Sequence, residues 1–260
     1  MERLAWRLID GGGFRAKLRR TAGGFISRMF PGPFDAEVDG LKFRLYPGEN
    51  YDDRKILAHA RLPEQSEHVL FGGLLRPGTV FVDIGANVGT YALFAARRGA
   101  RVLAIEVALA TAEKLTFNIA ANGAGDGAST GNGLGAIDVA HTAVGEEPGQ
   151  LTLWFSGTDC GFVTFAGEFA DGQAGIWTAT EVPVRPLADV LHEAGIVRPD
   201  VMKIDVEGFE DRVLMALSGG DAAGAMAARG VDGNELQRGL KVGPARDPDG
   251  TWLCGRRRDG

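Results

Sequence analysis

Three acidic side chains follow apolar, β-branched runs in this sequence, and they are the first candidates for chemistry. Asp83, Glu106 and Asp205 come directly after the runs at 80–82, 102–105 and 201–204. Buried parallel strands have this composition, and their carboxyl ends meet at the edge of the sheet where open α/β folds bind ligands. The pattern therefore predicts a nucleoside-binding site surrounded by carboxylates.

A glycine-containing turn follows the first acid and separates two classes of nucleoside ligand. Gly85 and Gly89 bound this turn, and glycine lets a backbone approach a ligand closely. Dinucleotide sites carry a further glycine between these two, and their pyrophosphate gains nothing from a carboxylate such as Asp83. A cationic ligand does gain from it. The turn therefore favours S-adenosylmethionine (SAM), with its sulfonium and ammonium groups, over a dinucleotide.

Glu106 ends the second run about 20 residues after the glycine turn, where a carboxylate can accept hydrogen bonds from both ribose hydroxyls. This position suits SAM and a nicotinamide dinucleotide equally well. A helix cap or a solvated strand end is the structural alternative for both Glu106 and Asp83. The glycine turn favours the functional interpretation, because motifs gain specificity from their context.

The segment 203–207 brings a lysine and two carboxylates to the same predicted edge. Asp205 and Glu207 are candidates for a general base that takes a hydroxyl proton, or for groups that orient a substrate. Alternatively, Glu207 caps the next helix and Lys203 only neutralises Asp205. No histidine or third acid joins the two carboxylates, so no metal site is predicted.

His141 lies near the end of the predicted third strand, where it is a candidate base near the methyl group of the ligand. A structural role is the commoner one for a lone histidine in a strand, and Asp138 has the same ambiguity. Lys203, Asp205, Glu207 and His141 are therefore the candidate catalytic residues.

Strands alternate with helices along the chain, which predicts an α/β fold with a doubly wound, mostly parallel, Rossmann-like sheet. A hairpin over 34–45, turning at Asp39–Gly40, and a helix over 51–76 precede that sheet. The predicted strands are 79–84, 101–106, 136–144, 151–155, 181–185 and 201–205. The predicted helices are 88–98, 109–122, 187–194 and 208–217. Residues 123–135 are predicted to be a loop and 156–180 to be irregular.

Four segments follow from this pattern: a basic arm (1–33), a hairpin and helix (34–76), a nucleoside-binding core (77–217) and a glycine-rich tail (218–260). The tail has one strand-like stretch, at 251–254, although a doubly wound sheet normally continues there. An atypical, incomplete sheet edge is therefore expected at the carboxyl end.

Composition narrows the classes of partner. Of the 260 residues 45% are hydrophobic, which suffices for one core, and the formal net charge of −6 argues against a general nucleic-acid binder. Cys160 and Cys254 form neither a disulfide framework nor a metal-binding pattern, and no apolar run approaches the roughly 20 residues of a membrane span. With no signal-peptide stretch, a cytoplasmic location is expected.

The first 30 residues carry seven basic and two acidic groups, against the acidic balance of the rest. One interpretation is a peripheral contact with an anionic membrane surface through a short amphipathic helix. The other is a solvated arm, or a helix packed on the domain, which is the commoner outcome for so weak a pattern.

Together these residues resemble the FkbM-type methyltransferase family. The pairing of Asp-Ile-Gly-Ala-Asn-Val-Gly at 83–89 with Lys-Ile-Asp-Val-Glu-Gly at 203–208 is specific, and the resemblance covers residues 64–217. Further matching stretches are 104–106, Asn118 with Asn122, 143–146, 182–185 and 209–214.

The resemblance implies a class I SAM-dependent methyltransferase fold and methyl transfer, usually to a hydroxyl oxygen. It implies a small-molecule or glycan acceptor of the sugar or polyketide type. The residues that it places around SAM are Asp83, Gly85, Asn87 and Gly89, with Glu106 on the ribose. It also implies that Asp205 and Glu207 face the reaction centre.

The chain departs from the family in three places. Val107 stands where a proline is usual, residues 123–135 look like an insertion, and 218–260 do not match the strand and closing hairpin that the family has there. Three alternatives therefore stay open: a degenerate relative that binds SAM weakly or not at all, an NAD-dependent oxidoreductase with Glu106 on the ribose, and a membrane-surface adaptor that uses the basic arm.

Overall fold

The structure is a computed structural model that describes residues 29–30, 32–124, 134–156, 163–164, 177–206, 209 and 212–213. Its strands are β1 (Phe34–Val38), β2 (Leu41–Leu45), β3 (Val80–Ile84), β4 (Arg101–Ile105), β5 (Ile137–Ala140), β6 (Ala143–Gly145), β7 (Gly149–Ser156), β8 (Val163–Thr164), β9 (Trp177–Pro186) and β10 (Val201–Ile204). Its helices are α1 (Tyr51–His59), α2 (Gln65–Leu74), α3 (Thr90–Arg97), α4 (Leu109–Ala121) and α5 (Leu187–Glu193).

A four-stranded parallel sheet in the order β10-β3-β4-β5 forms the centre of the fold. The chain moves outward from β3 to β4 and β5, and later returns to the other side of β3 with β10. The carboxyl ends of β3 and β10 therefore flank the point where the strand order reverses, and doubly wound sheets bind ligands there. The predicted α/β, mostly parallel, Rossmann-like fold is confirmed.

Side chains of β3 alternate between two apolar layers, as the period of two in a strand requires. Phe81 lies in a cluster with Phe43 of β2 and Leu93 of α3. Val82 and Ile84 lie in the other cluster, where they pack with residues of α5 and β10. Because both faces of the sheet are covered, its strands are buried and their ends are the accessible edge.

A second sheet has the order β6-β9-β7-β8 and mixes parallel with antiparallel pairs. The prediction of one strand over 136–144 was wrong, because β5 belongs to the central sheet and β6 to this one. The buried Thr142 between them donates its hydroxyl to the Pro183 carbonyl of β9, at 3.1 Å, which directs the chain to the second sheet. β9 also begins at Trp177, before the predicted start at 181.

The hairpin of β1 and β2 is confirmed, with Asp39 and Gly40 both at positive φ in the turn. The single helix predicted over 51–76 was wrong, because the chain forms α1 and α2 with a break between them. Ala60 and Glu64 both adopt left-handed backbone at the break, with φ of 53° and 51°. Pro63 lacks a backbone N–H and disfavours helical geometry in the residue before it, so a continuous helix cannot cross this point.

Two asparagine side chains, Asn118 in α4 and Asn122 at its C-cap, bind the backbone of β2. Asn122 accepts from the Lys42 N–H at 2.8 Å and donates to the Lys42 carbonyl at 2.7 Å. The fully buried Asn118 accepts from the Arg44 N–H at 2.8 Å and donates to the Val88 carbonyl at 3.0 Å. The hairpin is thereby joined to the glycine turn after β3.

Several predictions fall on parts of the chain that the structure does not describe. These are the basic arm over 1–28, residues 125–133 of the predicted loop, most of 157–176, the helix over 208–217 apart from 209, 212 and 213, and the tail over 218–260.

Gly85 directly follows β3. Its backbone conformation and the nearby Asp205 carbonyl both exclude a side chain at this position. Its φ is +77°, and a Cβ there would lie 1.8 Å from the carbonyl oxygen of Asp205 after β10. Sequence reasoning assigned this glycine to the approach of a ligand. The structure shows that the protein's own backbone already requires it.

We expect Gly85→Ala to lower the free energy of unfolding by more than about 2 kcal/mol, because left-handed strain and a backbone clash add together. Gly73→Ala is the matched control, since a Cβ at this helical glycine of α2 meets nothing within 4 Å. The control should raise stability by up to about 1 kcal/mol, because alanine is the better helix former. Urea unfolding of the two variants measures both changes, and equal effects would contradict this account.

Candidate active site

A buried ion pair joins β3 and β10 at their carboxyl ends. Lys203 Nζ lies 3.1 Å from Asp83 Oδ1 and donates to the Gly85 carbonyl at 3.0 Å. Asp83 is 0% exposed and Lys203 is 3% exposed, so each charge depends on the other. Burial raises the pKa of Asp83, while the neighbouring ammonium of Lys203 opposes that rise. The carboxylates of Asp83 and Asp205 raise the pKa of Lys203 although burial alone would lower it.

Asp205 follows β10 and lies at the open side of this pair. Its Oδ2 is 3.9 Å from Lys203 Nζ, which is farther than the 3.1 Å to Asp83. Lys203 therefore compensates Asp83 first and Asp205 second. Glu207, the other predicted carboxylate, lies outside the described residues.

Glu106 holds the backbone of two loops at the end of β4. Its Oε2 accepts from the Asn87 N–H at 2.9 Å, and its Oε1 accepts from the Ala108 N–H at 2.8 Å. Burial raises the pKa of Glu106, and these two N–H donors oppose the rise. The side chain thus fixes the glycine turn to the start of α4 at the position predicted for the ribose.

Asn87 lies in the glycine turn with a left-handed backbone, φ 52°. Its Oδ1 accepts from Asn50 Nδ2 at 2.6 Å, and its Nδ2 donates to Asp52 Oδ2 at 3.1 Å. Gly89 ends the turn with φ +93° and is the N-cap of α3. Sequence reasoning missed Asn50 and Asp52, although an asparagine followed by acids is the signature of a helix start.

Asn50 caps α1 by accepting from the N–H groups of Asp52 and Asp53. Asp53 is fully buried, and its Oδ2 accepts from the Tyr46 N–H at 2.8 Å. Its Oδ1 has no hydrogen-bond partner in the part of the chain that the structure describes. Burial raises the pKa of Asp53 to about 7; the Tyr46 N–H opposes the rise and the nearby charge of Asp52 adds to it.

Tyr91 connects the ion pair to α2. Lys203 Nζ lies 5.0 Å from the Tyr91 ring centre, and His68 stacks on that ring at 4.3 Å. The Tyr91 hydroxyl lies 2.7 Å from Glu64 Oε2 and 2.6 Å from Glu67 Oε2. Burial and the two carboxylates raise the pKa of Tyr91, so the hydroxyl stays protonated. Nothing in the sequence motifs indicated this group.

His141 lies apart from the ion pair. It is exposed between β5 and β6, and its Nε2 is 2.9 Å from the Val107 carbonyl oxygen. Three strand spacings of about 4.8 Å separate the end of β5 from that of β10, so His141 stands roughly 14 Å from the Asp205 strand end. Asp138 of β5 pairs with Arg101 at 3.6 Å. The structure therefore does not bring His141 together with Asp205.

A small apolar pocket opens at the carboxyl ends of β3 and β4, beside Gly85. Its lining includes Ile84, Ile105, Val107, Val144, Phe209 and Val213. Within the described ranges no three His, Cys, Asp or Glu side chains form a group that could hold a metal ion, and no helix there is long and apolar enough to cross a membrane.

Residues 83–238 match the model of the methyltransferase FkbM domain. This match covers more than half of the 260 residues. The chain belongs to the FkbM methyltransferase family. Methyl transfer from SAM is the chemistry of this family, and SAM is the cofactor. A comparison with curated protein sequences found no match.

Solved methyltransferase structures give further matches to this FkbM chain. Trm5b of Pyrococcus abyssi is 17% identical over 40% of this chain and 26% of its own, with a TM-score of 0.30. The tRNA (uracil-54, C5)-methyltransferase of P. abyssi, in complex with S-adenosyl-L-homocysteine, is 16% identical over 41% and 23%, with a TM-score of 0.29.

The 16S rRNA N2 G1207 methyltransferase of T. thermophilus, in complex with AdoMet and guanosine, is 26% identical over 35% of this chain and 24% of its own, with a TM-score of 0.26. The FkbM chain thus spans about a quarter of the length of each of these three structures. With such low TM-scores, the RNA substrates in their names describe those proteins alone.

The residues of this FkbM site fit SAM. Glu106 stands at the end of β4, at the position predicted for a ribose, and the apolar pocket lies close to it, beside Gly85. Around the glycine turn the carboxylates of Asp52, Asp83 and Asp205 lie near Lys203, and carboxylates suit a positively charged amino-acid end. Asp83 Oδ2 is buried without a hydrogen-bond partner among the described residues, so this carboxylate keeps one unused acceptor.

We expect Lys203→Met to lower the free energy of unfolding by about 3–5 kcal/mol, because it leaves Asp83 as an uncompensated buried charge. The double variant Asp83→Asn/Lys203→Met should recover part of the loss. Lys114→Met is the control, since Lys114 pairs with the exposed Glu49 at 2.7 Å and should cost less than about 1 kcal/mol. Urea unfolding measures the free energy of unfolding of each variant. A double variant that is no more stable than Lys203→Met would refute the pairing.

Asp53 should make stability depend on pH. Its folded pKa of about 7 lies above the unfolded value, so the folded chain keeps a proton that the unfolded chain loses. Stability from this group is complete below about pH 4 and falls as pH rises toward 7. Between about pH 5 and pH 7 wild type should lose up to about 2 kcal/mol relative to Asp53→Asn, whose amide does not titrate. Urea unfolding at both pH values measures the difference, and parallel curves would exclude this role.

Proposed function

We propose that this FkbM protein methylates a hydroxyl oxygen of a small-molecule or glycan acceptor of the sugar or polyketide type. The observation that carries the proposal is the position of Asp205. Its carboxylate follows β10 at the strand-order reversal, beside the glycine turn and 3.9 Å from Lys203 Nζ. A hydroxyl must lose its proton as it is methylated, and Asp205 is the carboxylate best placed to take it.

When bound, SAM supplies an electrophilic methyl group on a sulfonium. Held at the glycine turn, it would give that methyl group to the acceptor oxygen, the electrons of the carbon–sulfur bond would stay on sulfur, and S-adenosylhomocysteine would be the leaving group. Asp205 takes the hydroxyl proton, so atoms and charges balance. Lys203 lies 3.9 Å from Asp205 Oδ2 and, at 3.1 Å from Asp83 Oδ1, favours the charged form of Asp83. In-line transfer of this kind needs mainly positioning and a modest base.

Glu207 is proposed to orient the acceptor hydroxyl, as the family resemblance implies. His141 is not assigned to proton transfer, because roughly 14 Å separate its strand end from that of Asp205. It is proposed instead to line the nucleoside end of the site, where it contacts the Val107 carbonyl.

The acceptor class is proposed to exclude nucleic acid on the basis of the formal net charge of −6, since nucleic-acid binders are generally basic. A family member that has lost activity, or one that uses NAD, remains the competing function. Each of these makes a different prediction about binding and transfer, so one set of assays separates them.

We expect Asp205→Asn to lower the rate of methyl transfer by about 10²–10⁴, the range for loss of a general base, with SAM affinity changed less than tenfold. The assay follows methyl-labelled SAM into a panel of sugars, glycans and polyketide alcohols, each paired with its deoxy analogue, and into bulk tRNA. Asp189→Asn, an exposed acid in the first turn of α5, is the control and should keep the wild-type rate.

Label that enters a hydroxyl acceptor but not its deoxy analogue would support O-methylation. Label in tRNA, or in the deoxy analogues, would refute the proposed acceptor class. A folded chain that binds SAM weakly or not at all and labels nothing in the panel would favour the degenerate relative, and binding of NAD instead of SAM would favour the oxidoreductase.

A further inference from the structure

The start of α1 lies against the glycine turn, outside the residues that match the family model. Asp52 Oδ2 accepts from Asn87 Nδ2 at 3.1 Å, and Asn50 donates to the same asparagine at 2.6 Å. The family match begins only at residue 83. The turn that is expected to hold SAM is therefore in contact with a carboxylate that the family match does not cover.

The acid predicted to bind the cationic end of SAM is closed to solvent and already pairs with a cation. Asp83 is 0% exposed, and Lys203 occupies both its Oδ1 and the carbonyl of Gly85. A ligand ammonium placed there would displace or crowd a buried lysine of the same charge. The ammonium of SAM needs another anionic acceptor that is reachable from solvent.

We propose that Asp52 is a cofactor-binding residue whose carboxylate accepts a hydrogen bond from the ammonium group of SAM. This inference rests on the proposed function and deepens it. Asp52 is half-buried and stands in the first turn of α1, where the helix dipole favours a negative charge. A carboxylate accepts at about four positions, so Asp52 keeps its bond to Asn87 while it binds an ammonium.

Asn87 connects Asp52 to Glu106, the residue at the position predicted for the ribose of SAM. Its backbone N–H donates to Glu106 Oε2 at 2.9 Å, and its side chain donates to Asp52 at 3.1 Å. One residue thus separates the acid at the ribose position from Asp52. In SAM a short chain of carbon and sulfur atoms separates the ribose from the ammonium. Asp52 and Glu106 therefore bracket the glycine turn as the two ends of SAM require.

The test measures binding, not turnover, by calorimetry of the full chain with three ligands. SAM and S-adenosylhomocysteine carry the ammonium, whereas 5′-methylthioadenosine lacks the whole amino-acid end. Asp52→Asn removes the charge but keeps an oxygen that can accept from Asn87. We expect it to weaken SAM and S-adenosylhomocysteine roughly ten- to a hundredfold, and methylthioadenosine less than twofold.

Asp39→Asn is the matched control. It removes one carboxylate from the hairpin that precedes α1, and asparagine tolerates the left-handed φ of 53° at that position. All three ligands should bind this variant as they bind wild type. Thermal unfolding of each variant confirms that the fold is kept.

Equal weakening of all three ligands by Asp52→Asn would show that Asp52 acts only by supporting the turn, and would overturn the assignment. Unchanged affinity for SAM would overturn it as well. Failure of the wild-type chain to bind SAM at all would instead overturn the proposed function, and this inference with it.

Discussion

The ion pair between Lys203 and Asp83 is the interaction on which the site depends. Two opposite charges inside the sheet are tolerable only when they face each other, and this fixes β10 against β3 with Lys203 opposite Asp83 in the register. With that register set, the Asp205 backbone passes so close to Gly85 that no side chain fits between them. The buried pair of Lys203 and Asp83 thus determines where Asp205 stands at the edge of the sheet.

The hairpin and α1, which precede the central sheet in the chain, also support the glycine turn. The hairpin packs into the core with Phe81 and Leu93, and α1 contacts the glycine turn through Asn50 and Asp52. Asn118 adds a second connection, from β2 through its own amide to the carbonyl of Val88. The turn is therefore held on one side by Glu106 and on the opposite side by segments that precede the family match.

The central sheet could be predicted from the sequence because its strands are continuous apolar runs with acids at their ends. The break between α1 and α2 was missed because the helical pattern outweighed Pro63, and the split between β5 and β6 because no glycine or proline separates them. In the site, Asp83, Glu106 and Asp205 were found as strand ends. Asn50, Asp52 and Tyr91 were missed, since each matters through a partner distant in sequence that no local spacing reveals.

Asn118 and Asn122, at the end of α4, also affect whether strand β2 can pair with another molecule. The hairpin has only two strands, so the outer side of β2 would otherwise present unpaired N–H and C=O groups. Asn122 pairs with both the N–H and the C=O of Lys42, and Asn118 pairs with the N–H of Arg44, as a third strand would. These occupied groups cannot pair with a strand from a neighbouring molecule, so the amides that steady the hairpin also protect the β2 edge against edge-to-edge aggregation.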